Sequence, residues 1–401
     1  MKNIKLITTA AGLLWLMGCE SSSVITADLT SPLTAYSTEL RDISGETYQS
    51  PPEMGSYSKL YLGRENDFYN SRILLKMNRI SGGLVTMESL FDSTVNIDSI
   101  YIVLQSPDTL VPTEALLDLY YFPTEGDSIF NENETNYLNV ISPSGAPIAS
   151  AGLYQAPPDS NEPVHPILKL SIPQDVLESI ADTSESNTTK NRTFCIQPQD
   201  SLGELLTFYS RETGADPRLD VYYTVAVNDS TIDTLVQHYY PTQDLSIVVP
   251  PASQPSEFSA LRVGRAAGFK SILKIDSIVQ KIPETALIKK ATLNLFVKDT
   301  IQSLSKLLIY PLDQDYTPID SVVTEDNFQI LTEYQIYATA DSISRISINI
   351  KRLLQDYVLD NVANHGLKLL SNNVSPFTTR EYFIRQGTET DPYLEVEYVA
   401  P

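Results

Sequence analysis

Short runs in which apolar and polar side chains alternate recur along the whole chain. Ile100-Tyr101-Ile102-Val103-Leu104 and Ala291-Thr292-Leu293-Asn294-Leu295-Phe296-Val297 are examples, with turn residues between such runs. Successive side chains of a strand point to opposite faces, so a period of two predicts β-strands. The turn spacing predicts an all-β chain. No long segment carries the 3.6-residue period of a helix. Two short stretches do. Ile350, Leu353, Leu354, Tyr357 and Val358 fall on one helix face, with Asn349 as the cap. Pro173 to Ile180 forms the second, with Pro173 where a first helical turn tolerates it.

The pattern is written twice. Pro51-Pro52 and Tyr57-Ser58-Lys59-Leu60-Tyr61-Leu62-Gly63-Arg64 in the first half match Pro250-Pro251 and Phe258-Ser259-Ala260-Leu261-Arg262-Val263-Gly264-Arg265 in the second. Ile73-Leu74-Leu75-Lys76 then matches Ile272-Leu273-Lys274-Ile275, and Ile97 to Leu104 matches Ile288 to Leu295. Leu116 to Tyr120 matches Lys306 to Tyr310, and Leu168 to Pro173 matches Ile346 to Lys351. The closing pairs are Leu206 to Arg211 with Glu381 to Arg385, and Asp216 to Tyr223 with Asp391 to Tyr398. Matches kept in the same order indicate an internal repeat. They divide the chain into residues 31–226 and 227–401. In the closing strands, alternation puts Leu219, Val221 and Tyr223, and likewise Leu394, Val396 and Tyr398, on one buried face. Glu395 and Glu397 take the wet face, as in a two-sheet sandwich.

The second half resembles the DNRLRE-type β-sandwich domains of bacterial and archaeal surface proteins. The resemblance is carried by Gly264-Arg265 through Ile275-Asp276, by Ile282-Pro283 through Leu295, and by Asn349-Ile350 through Tyr357. Asn364-His365-Gly366-Leu367 and Asp391-Pro392 through Tyr398 complete it. Asp391 stands where that family has Arg, and His365 where it has Tyr. The resemblance implies two tandem jelly-roll-like β-sandwiches, each with one short helix. It also implies a relation to carbohydrate-binding modules, and it implies no catalysis.

The N-terminus follows different rules. Lys2 and Lys5 precede an uncharged apolar run, Ile7 to Leu16, too short to span a bilayer. Leu16-Met17-Gly18-Cys19 resembles the lipobox of bacterial lipoproteins. That resemblance implies a signal peptide over residues 1–18, cleavage before Cys19, and lipid (thioether-linked acyl chains and an N-acyl group such as palmitate) on Cys19. Several acyl chains anchor a protein stably where one does not. Residues 19–30 read as a polar tether, and Glu20 leans the sorting towards the outer membrane.

The formal charge of −22 over 401 residues argues against nucleic acid as a partner. Cys195 lies in an apolar run and reads as a buried, inert thiol. His165, His238 and His365 are isolated, and no nucleophile elbow or phosphate loop is present. The expected function is therefore not enzymatic. It is binding of an extracellular glycan or surface partner, or a structural part in an envelope assembly. The candidate ligand-binding residues are Arg64, Tyr209, Arg211, Arg265, Tyr382 and Arg385. Arginines can hold a carboxylated sugar bidentately, and aromatics can stack on it. The competing reading pairs these arginines with carboxylates and puts the aromatics in the core. No cofactor is expected. A structural Ca²⁺ could find oxygen ligands in Asp313-Gln314-Asp315 or Asn131-Glu132-Asn133-Glu134.

Overall fold

The computed structural model describes residues 33–65, 69–77, 86–108, 114–122, 130–155, 165–182, 192–199, 204–228, 231–250, 260–298, 303–316, 322–384 and 389–401. Cys19, its flanking segments and Arg385 lie outside them. The chain is all-β. The strands up to residue 249 are β1 (Thr34–Leu40), β2 (Ile43–Gln49), β3 (Lys59–Glu65), β4 (Tyr69–Met77), β5 (Val95–Gln105), β6 (Glu114–Ala115), β7 (Leu117–Phe122), β8 (Gly152–Gln155), β9 (Ile167–Ser171), β10 (Thr193–Pro198), β11 (Leu205–Tyr209), β12 (Arg218–Asn228), β13 (Thr231–Tyr239) and β14 (Pro241–Val249). Those that follow are β15 (Ala260–Val263), β16 (Phe269–Ile275), β17 (Leu287–Phe296), β18 (Lys306–Pro311), β19 (Ile336–Thr339), β20 (Arg345–Asn349), β21 (Leu367–Ser371), β22 (Arg380–Phe383) and β23 (Tyr393–Ala400).

Four larger sheets form two facing pairs. In the first pair, β11-β3-β4-β10-β7, with β14 added to β4, faces β13-β12-β5-β9-β8-β6. Leu60, Leu62, Ile73, Leu75, Phe194 and Phe208 of one sheet share a core with Ile100, Ile102, Leu168, Leu170, Leu219 and Val221 of the other. In the second pair, β19-β18-β21-β16-β2 faces β1-β23-β17-β20, with the β15-β22 ribbon beside it. Leu273, Ile275, Leu307, Ile309, Leu367 and Leu369 there meet Leu40, Leu293, Leu295, Ile346, Leu394 and Val396. Each is a sandwich-like arrangement whose inner faces are supplied by the alternate residues of its strands.

The alternation is visible residue by residue. Leu219 and Val221 are fully buried, as are Leu394 and Val396, while Lys290 on the neighbouring strand reaches Glu395 at 2.9 Å on the wet side. The helices Gln174–Ala181 and Lys351–Val358 follow β9 and β20. Leu353, Leu354, Tyr357 and Val358 face inward, and the Asn349 side chain accepts the Lys351 N–H at 3.0 Å. The fully buried Arg192 donates from its guanidinium to the carbonyls of Ile180 and Asp182, closing the other helix at its C-terminal end. The expectation of one helix per half needs a correction. A single extra turn, Ile278–Lys281, buries Ile278 in the second core, and its four residues are too few to show a helical period.

Sheet pairing divides the chain differently from the 226/227 line between the repeats. The consecutive strands β13 and β14 join opposite sheets, pairing with β12 and β4, and so complete the first sandwich. Their counterparts are β1 and β2, which pair with β23 and β16 in opposite sheets and complete the second. Thr34 lies opposite Ala400. The first sandwich is one continuous stretch, whereas the second is closed by strands from the far end of the chain.

A third apolar cluster joins the two. Tyr61, Tyr69, Leu74, Cys195, Leu245 and Ile247 cover the outer face of the β3-β4-β10-β14 sheet, and Ala266 and Ala267 of the second half pack on them. Phe377 stands edge-on to Tyr61 and Tyr69, with ring centroids 5.0 and 5.2 Å away. Within the second sandwich, Gly268 lets the turn before β16 lie against the end of β2. Its φ is +69°, and a Cβ there would stand 1.9 Å from the Ser50 carbonyl oxygen.

Candidate functional site

The outer face of the β19-β18-β21-β16-β2 sheet remains partly open. Since Leu307 and Ile309 point into the core, Leu308 and Tyr310 must point out. The register aligns Tyr337, Leu308 and Leu370 in a row across β19, β18 and β21. Tyr310, Lys368 and Ile272 form the next row across β18, β21 and β16. Tyr337 is 67% exposed, and Gln335 Nε2 donates to both the Tyr310 and the Tyr337 hydroxyls.

This face borders a groove of about 440 Å³. Its walls include Phe269, Tyr310 and Phe328 among the aromatics, and Arg265, Lys270 and Lys368 among the bases. A second cleft of about 640 Å³ adjoins it through Glu53 and Asp326, with Asn133 to Asn139 of the first half as a further wall. Asp326 is the pivot between them. Its carboxylate accepts from Lys368 Nζ at 2.7 Å, from Lys270 Nζ, and from the Tyr48 hydroxyl at 3.2 Å. Burial alone would raise this carboxyl, but the two ammonium groups outweigh burial and hold it below its ordinary value. Burial and the adjacent Asp326 push the Tyr48 phenol far up, so it stays a donor. The cluster balances two lysines against Asp326 and Glu53, whose carboxylate lies 2.8 Å from Lys270.

The candidate residues proposed from sequence meet different fates. Arg265 lies at the groove, donating to the Glu53 carbonyl at 3.1 Å and to Ser56 Oγ at 3.2 Å. Its guanidinium sits 4.2 Å over the Tyr57 ring. Arg211 lies away from the groove lining: its guanidinium is 3.4 Å from Glu132 and its N–H donates to Asp244, while its neighbour Ser210 donates to the Tyr57 carbonyl. Arg64 is half-buried on β3 opposite Asn70, away from the groove lining. Tyr209 is half-buried edge-on to His165. Tyr382 needs a correction, because it is fully buried in the second core with its hydroxyl on Ser305, and it offers no platform. The register explains why. Tyr382 lies opposite Leu261 as Phe208 lies opposite Leu60, so its counterpart is the buried Phe208, not Tyr209. Arg385 lies outside the described residues, so its convergence with Arg265 is not part of this geometry.

Cys195 is buried as expected, and burial pushes its thiol up to about 12. Asp315 is engaged by His365 Nδ1 at 2.9 Å, while Glu132 joins Glu212 and Asp244 with carboxylate oxygens within 4.8 Å of one another. Among the described residues no helix is long and apolar enough to cross a membrane. Tyr337, Leu308, Lys270 and Lys368 were not singled out from the sequence. The signal was available for Leu308, an apolar side chain on the wet phase of a strand whose other phase is core.

No known protein-family model matches this chain, and no curated protein sequence matches it.

Proposed function

We propose that the chain is a lipid-anchored, non-catalytic envelope lipoprotein whose second sandwich binds an extracellular glycan or surface partner. The observation that carries this reading is the row Tyr337, Leu308 and Leu370 beside a groove edged by Arg265, Lys270 and Lys368. Sugar rings present apolar faces that stack on aromatic and aliphatic surfaces, while a few fixed polar groups set orientation. Most of the groove's charged groups are held by one another, which suits recognition of an orientation more than of net charge. The lipobox-like Leu16 to Cys19 supplies the anchoring half of the reading, and Glu20 favours the outer membrane.

A glycan array probed with residues 30–401 should give binding that Tyr337→Ala and Arg265→Ala both weaken at least tenfold. Binding unchanged in both variants would remove the groove from the reading, and an empty array would remove the glycan. Incorporation of labelled palmitate, lost in Cys19→Ser, tests the anchor separately.

One observation favours a structural role instead. The first sandwich has its outer face covered in part by the second, and β1 and β2 tie the 34–49 segment to the second half, as in a stiff spacer or assembly subunit. Recovery of a stoichiometric protein partner from detergent-solubilised membranes, with no glycan binding, would support that second reading over the first.

A further inference from the structure

We propose that Glu132, Glu212 and Asp244 form a divalent-cation site suited to Ca²⁺, a site that stands independently of the glycan-binding reading. The three carboxylates come from separate places in the fold. Glu132 sits in the loop after residue 130, Glu212 in the turn after β11, and Asp244 on β14. Each offers an oxygen within 4.8 Å of the others. Clustered acids alone would not point to a ligand, but Asp244 is only 1% exposed. Its Oδ2 accepts the Arg211 N–H at 2.8 Å, while its Oδ1 is buried with no hydrogen-bond partner among the described residues. Glu132 Oε1 is buried without a partner as well. A buried, unsatisfied carboxylate oxygen is costly, and two of them beside a third carboxylate are more so. The cation that reaches the cluster, the Arg211 guanidinium, lies 3.4 Å from Glu132, and its side chain is about two-fifths exposed.

The donor set is all oxygen, which selects a hard cation, and the exposed Glu212 side leaves room for the waters that complete six to eight ligands around Ca²⁺. The consequence of occupancy is mechanical. A bound ion would pin the Glu132 loop, whose backbone already lies against Gly55, onto β14 and the turn after β11.

Purified protein stripped with EDTA and then titrated with CaCl₂ should melt about 5 °C higher at saturation, and MgCl₂ should do less. Tb³⁺ should bind with luminescence that CaCl₂ displaces. Both responses should vanish in Asp244→Asn and in Glu212→Gln, and both should persist in the control Glu284→Gln, an exposed carboxylate between the Ile278–Lys281 turn and β17 in the second sandwich. Glu212 is exposed, so Glu212→Gln keeps the test open if the buried variant misfolds. A melting temperature indifferent to CaCl₂, or a CaCl₂ response kept in both site variants, overturns the site. If Asp244→Asn melts higher than the wild type in EDTA and neither responds to CaCl₂, Asp244 shares a proton and holds no metal.

Discussion

Tyr120, Cys195, Leu74 and Leu245 lie in a row across β7, β10, β4 and β14 on the outer face of the first sandwich. In the second sandwich Tyr310, Lys368, Ile272 and Glu46 take the same row across β18, β21, β16 and β2. The topology of the two rows is the same and their fates are opposite. The first is apolar and is capped by Ala266, Ala267, Phe377 and Phe130. The second carries charge and is covered only in part, by the segment that brings Leu312, Asp326 and Phe328 over it. A sheet face of hydrocarbon and thiol needs only apolar cover. A lysine on that face needs a counter-charge delivered to it, and the delivery leaves an open edge.

The strongest way to break this contrast is to move the charge. Cys195→Lys puts an unpaired ammonium under Ala266 and Phe377 and should cost about 5 kcal/mol or prevent folding. Urea denaturation near wild-type stability would show that the first face is not sealed. Next is Asp326→Asn, which strands the buried Lys368, leaves Lys270 with only the exposed Glu53, and should cost about 3–5 kcal/mol, because removing one partner of a buried pair leaves its charge uncompensated. The pH dependence has a definite sign. A carboxyl held below its ordinary value gives stability that is present above about pH 4 and is lost as pH falls through its folded value. Acid unfolding should therefore be shallower in Asp326→Asn than in wild type, and superimposable acid curves would contradict the assignment.

A matched pair sharpens the other difference, in how each sandwich is closed. Leu219 and Leu394 are both fully buried, and Leu394 lies opposite Leu40 while Leu219 lies opposite Tyr239. Each Leu→Ala change should cost about 2–4 kcal/mol. Limited proteolysis separates them, since Leu394→Ala should release residues 33–49 before global unfolding and Leu219→Ala should not. The smallest effect is expected at Tyr337, where truncation to Ala should change stability by less than about 0.5 kcal/mol. A larger loss in a thermal melt would make that ring a structural member and not a platform.

Much of this architecture was legible in the sequence, because alternation and repetition are local signals. The phase of Leu394, Val396 and Tyr398 fixed a buried face, and Gly366 before β21 does adopt a positive φ of 111°. The same phase rule, applied to Arg380 through Phe383, puts Tyr382 inward; treating two aromatics at similar places as equivalent overrode it. The exchange of these strand pairs between the halves was not legible. β1–β2 and β13–β14 have the same alternation wherever they dock, and their partners are distant along the chain. Nor could spacing show that Phe377 and Ala266 would close one outer face. The acidic cluster was half visible: Glu132 stood out in its loop, but Glu212 and Asp244 reach it only through the fold.

The pairing of Thr34–Leu40 with Tyr393–Ala400 also sets a timetable. As the polypeptide emerges, everything the first sandwich needs is present once residue 249 has been made. The segment of residues 34–49 is made before the first sandwich, yet its neighbours on both sheets come from residues 269–275 and 393–400. It must wait with unsatisfied edges while some two hundred residues fold behind it, and contacts so remote in sequence form slowly. Leu40, Ile43 and Tyr48 are then exposed surface. In that interval the segment most in need of a chaperone would be the one beside the proposed lipid tether.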